Sequence, residues 1–117
     1  MVRTRRMRPA LGTYVEVGID GIGTSVAFDA AFAAIANVER LLSFHSPTSD
    51  LTQLNRHPSE RVPLHRTSLR VLRLAKAVTR TSGGAFNCTV GGALVRQRAL
   101  PDHGGAGLVD IGNANDI

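Results

Sequence analysis

Apolar and polar positions alternate from Tyr14 to Ile19, with Val15, Val17 and Ile19 on one side and Tyr14, Glu16 and Gly18 on the other. A period of two marks a strand with one buried face, and Asp20-Gly21-Ile22-Gly23 breaks it. From Ser25 to Leu42 the period lengthens. Phe28, Ala31, Phe32, Ile35, Val38 and Leu42 recur every three or four residues, while Asp29, Asn37, Glu39 and Arg40 keep the other side. This spacing predicts an amphipathic helix, capped by Thr24 or Ser25 and aided by Asp29 in its first turn. Phe28, Phe32 and Ile35 are expected to be its buried face.

A shorter helix is predicted over Ser49 to Asn55. Ser49 or Asp50 is its N-cap, and Thr52 and Gln53 follow at capping-box distance. Leu51 and Leu54 give it an apolar edge, and Asn55 suits a left-handed C-terminal position. Arg61-Val62-Pro63-Leu64 supports at most a short edge strand, because proline has no N–H for a ladder. Another long helix is predicted from Thr67 or Ser68 to about Thr81, with Val71, Leu72, Ala75 and Val78 inward and Arg66, Arg70, Arg73 and Arg80 outward. Gly83-Gly84 stops it, since glycine takes left-handed backbone without a Cβ penalty. A last helical segment runs from about Thr89 to Arg98, and residues 101–117 read as a flexible C-terminal tail. The predicted class is α+β, amphipathic helices on a small mixed sheet, in one partial domain over residues 1–117.

Composition narrows the function. With 43% hydrophobic and 20% charged residues in 117, the chain is expected to be a soluble globular domain rather than a disordered one. Its net charge of +5 comes almost wholly from arginine, but few aromatics accompany the basic residues, which makes nucleic acid an unpromising partner. Arg3, Arg5, Arg6 and Arg8 are expected to form a solvated basic arm over residues 1–8. Cys88 is the only cysteine, so one chain can build neither a disulfide nor a thiolate metal site. No apolar signal-peptide core follows Met1, so the default expectation is cytoplasmic. Val26 to Ala36 is too short to span a bilayer.

Three runs carry more than periodicity explains. The first is Leu42-Ser43-Phe44-His45-Ser46-Pro47-Thr48-Ser49-Asp50-Leu51-Thr52-Gln53-Leu54-Asn55, where an aromatic and an imidazole stand at the mouth of a turn. The second is Leu11-Gly12-Thr13, placed in a strand near the N-terminus, and the third is Ser82-Gly83-Gly84-Ala85-Phe86-Asn87-Cys88-Thr89-Val90. Together, in this order, they resemble the S-x-aromatic-x-P-x-S-E-L-S-x-L-N, M-G-T and S-G-G-A-F-D-P-T-V motifs of the FAD:protein FMN transferases, the ApbE family. The resemblance covers residues 8 to 95, the family's N-terminal portion only.

The resemblance implies an enzyme that cleaves the FAD pyrophosphate with Mg²⁺ and attaches FMN through a phosphoester to a Ser or Thr of an acceptor protein. It implies cofactor-binding roles for Leu11, His45, Ala85, Phe86 and Asn87. The family has an aromatic ring at the position of His45, and an imidazole can both stack on a flavin and hydrogen-bond. The alternative for His45 is a surface-turn histidine satisfied by Ser43 or Ser46. For Phe86 it is a core residue behind a helix C-cap, and for Leu11 an ordinary strand residue. Asn87 and Cys88 stand where the family has aspartate and proline, which keeps hydrogen bonding but removes a charge and a rigid turn. Catalytic residues are not identified, and the Mg²⁺ ligands of the full-length family are expected to lie outside this chain. Val109-Asp110-Ile111-Gly112 reads as a linker before such a segment. Many family members are exported lipoproteins. A second function class stays open: a truncated, non-catalytic flavin-binding or interaction module.

Other chemistry finds little support. No local signature makes Cys88 a nucleophile with a histidine, and His57 and His65 are too loosely spaced for zinc.

Overall fold

The computed structural model describes residues 3–21, 25–87 and 91–104. Its contacts divide the chain into two units, Met1–Arg40 and Leu41–Ile117.

In the first unit, strand β1 (Arg3–Ala10) pairs antiparallel with β2 (Thr13–Asp20), and helix α1 (Ser25–Leu42) begins after them. The alternation in β2 is as predicted: Val15, Val17 and Ile19 are half-buried and their neighbours exposed. Residues 3–8 of the expected basic arm belong to β1, and residues 1 and 2 lie outside those described. Register places Arg6 opposite Val17 and Arg8 opposite Val15, on the face of Ile19. On that face the Arg6 guanidinium lies over the Phe28 ring, 4.6 Å from its centre, and Arg8 lies over Phe32 at 4.5 Å. A planar cation on an aromatic face combines electrostatic attraction with contact area, so arginines do on this strand what apolar residues do on β2. On the opposite face Arg3 donates to Asp20 Oδ1 at 2.7 Å, and that hydrogen bond raises the guanidinium's pKa above its ordinary value. The sheet among the described residues is thus a two-stranded antiparallel hairpin rather than a mixed sheet.

α1 has the predicted bounds, and Phe28 and Phe32 are buried while Ile35 is half-buried. Asp29 lies beyond the first turn and pairs with Arg8 at 2.8 Å. Of its two predicted caps, Thr24 falls outside the described residues.

The second unit holds α2 (Asp50–Arg56), α3 (Arg66–Thr81) and α4 (Gly91–Arg96). Ser49 is the N-cap of α2, and its side chain accepts the Thr52 N–H at 3.2 Å. The buried residue of that helix is Thr52 rather than Leu51 or Leu54, which are half-buried. Asn55 stays inside the helix, and the C-cap is His57 at φ −126°, so no left-handed asparagine forms. Val62 joins no strand. α3 starts one residue before the predicted range because the His65 imidazole caps it, accepting the Thr67 N–H at 3.1 Å. Ser68 and Leu72 are buried, whereas Val78 is exposed. Of the predicted last helix, Thr89 lies outside the described residues, as do Cys88 and residues 105–117 of the expected tail.

Ser49 does more than cap. Its hydroxyl donates to the Ser43 carbonyl at 2.6 Å, and the buried Thr52 hydroxyl donates to the Ser46 carbonyl at 2.6 Å, so two hydroxyls close the turn that carries Phe44 and His45. Ser49→Ala is expected to destabilise the chain by about 1–2 kcal/mol, the upper range for an N-cap. A denaturant melt indistinguishable from the unmutated chain would contradict this.

Candidate functional site

The hairpin tip is a two-residue turn. Leu11 has φ +56° and Gly12 φ +73°, and positive φ at both positions is the arrangement of a type I′ turn, whose hand matches strand twist. Leu11-Gly12 therefore sit in the turn rather than in the strand where the sequence placed them. Gly12 adopts its φ freely, but Leu11 carries a Cβ, and left-handed backbone costs such a residue roughly 1–2 kcal/mol. Burial does not compensate, since Leu11 is 54% exposed. What holds the tip is the Leu11 N–H donating to Glu39 Oε1 of α1 at 3.0 Å. Glu39 lies between two surface hollows. One, of about 440 Å³, is lined by Pro9, Ala10, Gly12, Thr13, Tyr14 and Glu39. The other, of about 390 Å³, shares Pro9, Ala10 and Glu39 and adds Arg8, Asp29 and Phe32 among others.

His45 is exposed in the α1–α2 turn, and its ring bonds to neither Ser43 nor Ser46. The side-chain satisfaction of the surface-turn reading is therefore absent. Its carbonyl faces His103 Nε2 at 3.0 Å, and the His103 carbonyl accepts from Arg56 Nε at 2.5 Å. Nothing local in the sequence pairs residues 45 and 103. Asp50 was read as a possible cap. It instead ties α2 to α3, its Oδ2 accepting the His65 N–H at 2.9 Å and the Ser68 hydroxyl at 2.6 Å.

Ala85, Phe86 and Asn87 follow the end of α3, which closes as a Schellman motif: the Gly84 N–H reaches the Thr79 carbonyl at 3.0 Å and the Gly83 N–H the Arg80 carbonyl at 3.2 Å. Gly83, at C′, has the positive φ that motif requires, +63°, and Gly84 follows at +87°. The Ser82 hydroxyl then accepts the Phe86 N–H at 3.0 Å. Phe86 does not fill a core; it is 46% exposed.

All three motif segments thus fall at element ends. Leu11 belongs to the first unit, and His45 and residues 85–87 to the second. Two of the segments carry an apolar side chain held in solvent by a bonded backbone. Exposed apolar groups on defined backbone are what a planar ligand stacks against.

Among the described residues no three His, Cys, Asp or Glu side chains lie close enough together to hold a metal ion. Every described carboxylate has a local partner. Asp20, Glu16 and Asp29 pair with Arg3, Arg5 and Arg8, and Glu60 with His57. Glu39 and Asp50 are engaged as above, and Asp102 accepts the Gly104 N–H. The Mg²⁺ expected for the family therefore has no fitting donor set among them. Nor does any described helix have the length and apolarity to cross a membrane.

The described elements, a two-stranded hairpin and four helices, make an α+β fold. The ApbE family model matches residues 11–104, and the chain belongs to the ApbE family. Its fold is that of the crystallised ApbE protein of Thermotoga maritima, with a TM-score of 0.70 at 23% sequence identity. The match covers 86% of this chain and 33% of that one, so the chain spans about a third of the length of the crystallised protein. No curated protein matches the chain.

Proposed function

We propose that this chain supplies one wall of the flavin site of an FAD:protein FMN transferase, an enzyme that moves FMN from FAD to a Ser or Thr of an acceptor protein. The observation that carries the reading is that two of the family's three motif segments display Leu11 and Phe86, 54% and 46% exposed, on backbone fixed by hydrogen bonds. Neither residue gains much from folding in that state. An apolar group in that state is what a flavin face can cover.

In this reading Leu11, His45 and Ala85 to Asn87 contact the flavin, His45 through its ring and Asn87 through hydrogen bonds. Phosphoryl-type transfer also needs a cation on the pyrophosphate and an activated hydroxyl, and the described carboxylates are already engaged within the fold. The reading accordingly assigns flavin contact to this chain and Mg²⁺ ligation to residues beyond those described.

Purified chain titrated with FAD is expected to show saturable but weak binding, because a one-sided site orders the nucleotide while burying only part of it. Phe86→Ala is expected to weaken it further. Incubation with FAD, Mg²⁺ and a competent acceptor is expected to give no FMN adduct by mass spectrometry. Absence of any FAD binding would remove the flavin reading, and a clear adduct would show that the transfer residues lie within this chain after all.

A further inference from the structure

We infer that Glu39 is a positioning residue for the flavin site: by accepting the Leu11 N–H it fixes the hairpin tip in the geometry that presents the Leu11 side chain to the ligand. This rests on the flavin reading above and goes beyond it, because Glu39 lies in none of the three motifs.

Four observations converge. Leu11 holds φ +56° where Asn or Asp followed by Gly is the favoured pair. Its side chain is more than half exposed, so core packing does not explain why leucine occupies the position. The contact opposing relaxation of the tip is a hydrogen bond to a carboxylate 28 residues away, on another element. Finally, Glu39 is common to the two hollows that flank the tip. Strained backbone persists where surrounding structure over-determines it, and such positions gather at ligand sites. Here the element that over-determines the tip can be named.

The mechanism is conformational. With the acceptor in place the tip is populated in one state, and an incoming ring meets Leu11 already in position. Without it the turn relaxes toward backbone that leucine prefers, and only the remaining competent fraction binds, so affinity falls by that fraction.

The test is a set of FAD titrations read by fluorescence polarisation, with a thermal melt of each protein. Glu39→Met keeps the length and helix preference of the side chain but removes the oxygen acceptor. It is expected to weaken FAD binding about tenfold, the scale of one charge-assisted hydrogen bond. Glu39→Gln retains an amide oxygen and is expected to stay within about threefold of the unmutated chain. Leu11→Asn tolerates the left-handed turn but lacks the apolar group, so in its background Glu39→Met is expected to cause little further loss. Such non-additivity is the sign that the two residues act as one unit. Full FAD affinity in Glu39→Met would overturn the inference. So would an equal loss in both backgrounds, which would mean that Glu39 acts on overall stability alone. Failure of the unmutated chain to bind FAD would be a different result, removing the flavin reading and this inference with it. Should Glu39→Met not fold, Glu39→Gln and Glu39→Ala in the two backgrounds carry the same comparison.

Discussion

Phe28→Ala is expected to destabilise the chain by about 3–5 kcal/mol, the range for removing a buried phenyl ring. The ring has no exposed surface, and one of its faces is covered by the Arg6 guanidinium. The substitution therefore opens a cavity and also deprives a cation of its partner. Arg6 can swing into water, so the second effect adds little beyond the loss of the ring. Val26 on the same helix, 78% exposed, is the control, and Val26→Ala is expected to change stability by no more than about 0.5 kcal/mol. Chemical denaturation of the two variants side by side checks this. Equal midpoints would mean that the α1 face does not form the packed interior described here.

The second large effect is expected at Asp50. Its carboxylate accepts from the His65 backbone and from the Ser68 hydroxyl, and Ser68 has no exposed surface. Asp50→Ala removes both bonds and strands a buried hydroxyl, a loss of about 2–4 kcal/mol when bonds to a charged acceptor are involved. Asp50→Asn keeps one carbonyl oxygen and is expected to cost only about 1 kcal/mol, the worth of a neutral hydrogen bond. The same melts decide it. If alanine and asparagine were equally tolerated, the α2–α3 tie would contribute nothing.

The elements best read from the sequence are those whose side chains have one duty each. α1 is the clearest: large apolar groups every three or four residues leave no second interpretation, and its bounds are as predicted. β1 was missed because its pattern of Arg3, Thr4, Arg5, Arg6, Met7 and Arg8 shows no apolar alternation. Its inward face is made by guanidinium planes on aromatic rings, and hydropathy cannot distinguish such arginines from solvated ones. The same limit hid Thr52, whose hydroxyl is buried because it closes the preceding turn, while the more apolar Leu51 and Leu54 were the obvious candidates.

The motif segments were legible as sequence, yet their local geometry was not. Leu11 was assigned to a strand because nothing in Leu-Gly-Thr announces a left-handed leucine. Only the register of β1 on β2 isolates the two-residue tip, and only the fold brings Glu39 to it. His103 and Asp50 were invisible as partners for the same reason. Each makes contacts 15 or more residues away, beyond the reach of any local pattern.

The guanidinium covers over Phe28 and Phe32 have a dynamic consequence. A strand that covers rings with isoleucine or valine can uncover them only by moving its backbone. Arg6, which is exposed, can do so by changing rotamer, with every β1–β2 hydrogen bond intact, on the picosecond-to-nanosecond scale of exposed side chains, whereas Arg8 must also release Asp29. The aromatic face of α1 that meets this strand is thus shuttered rather than sealed.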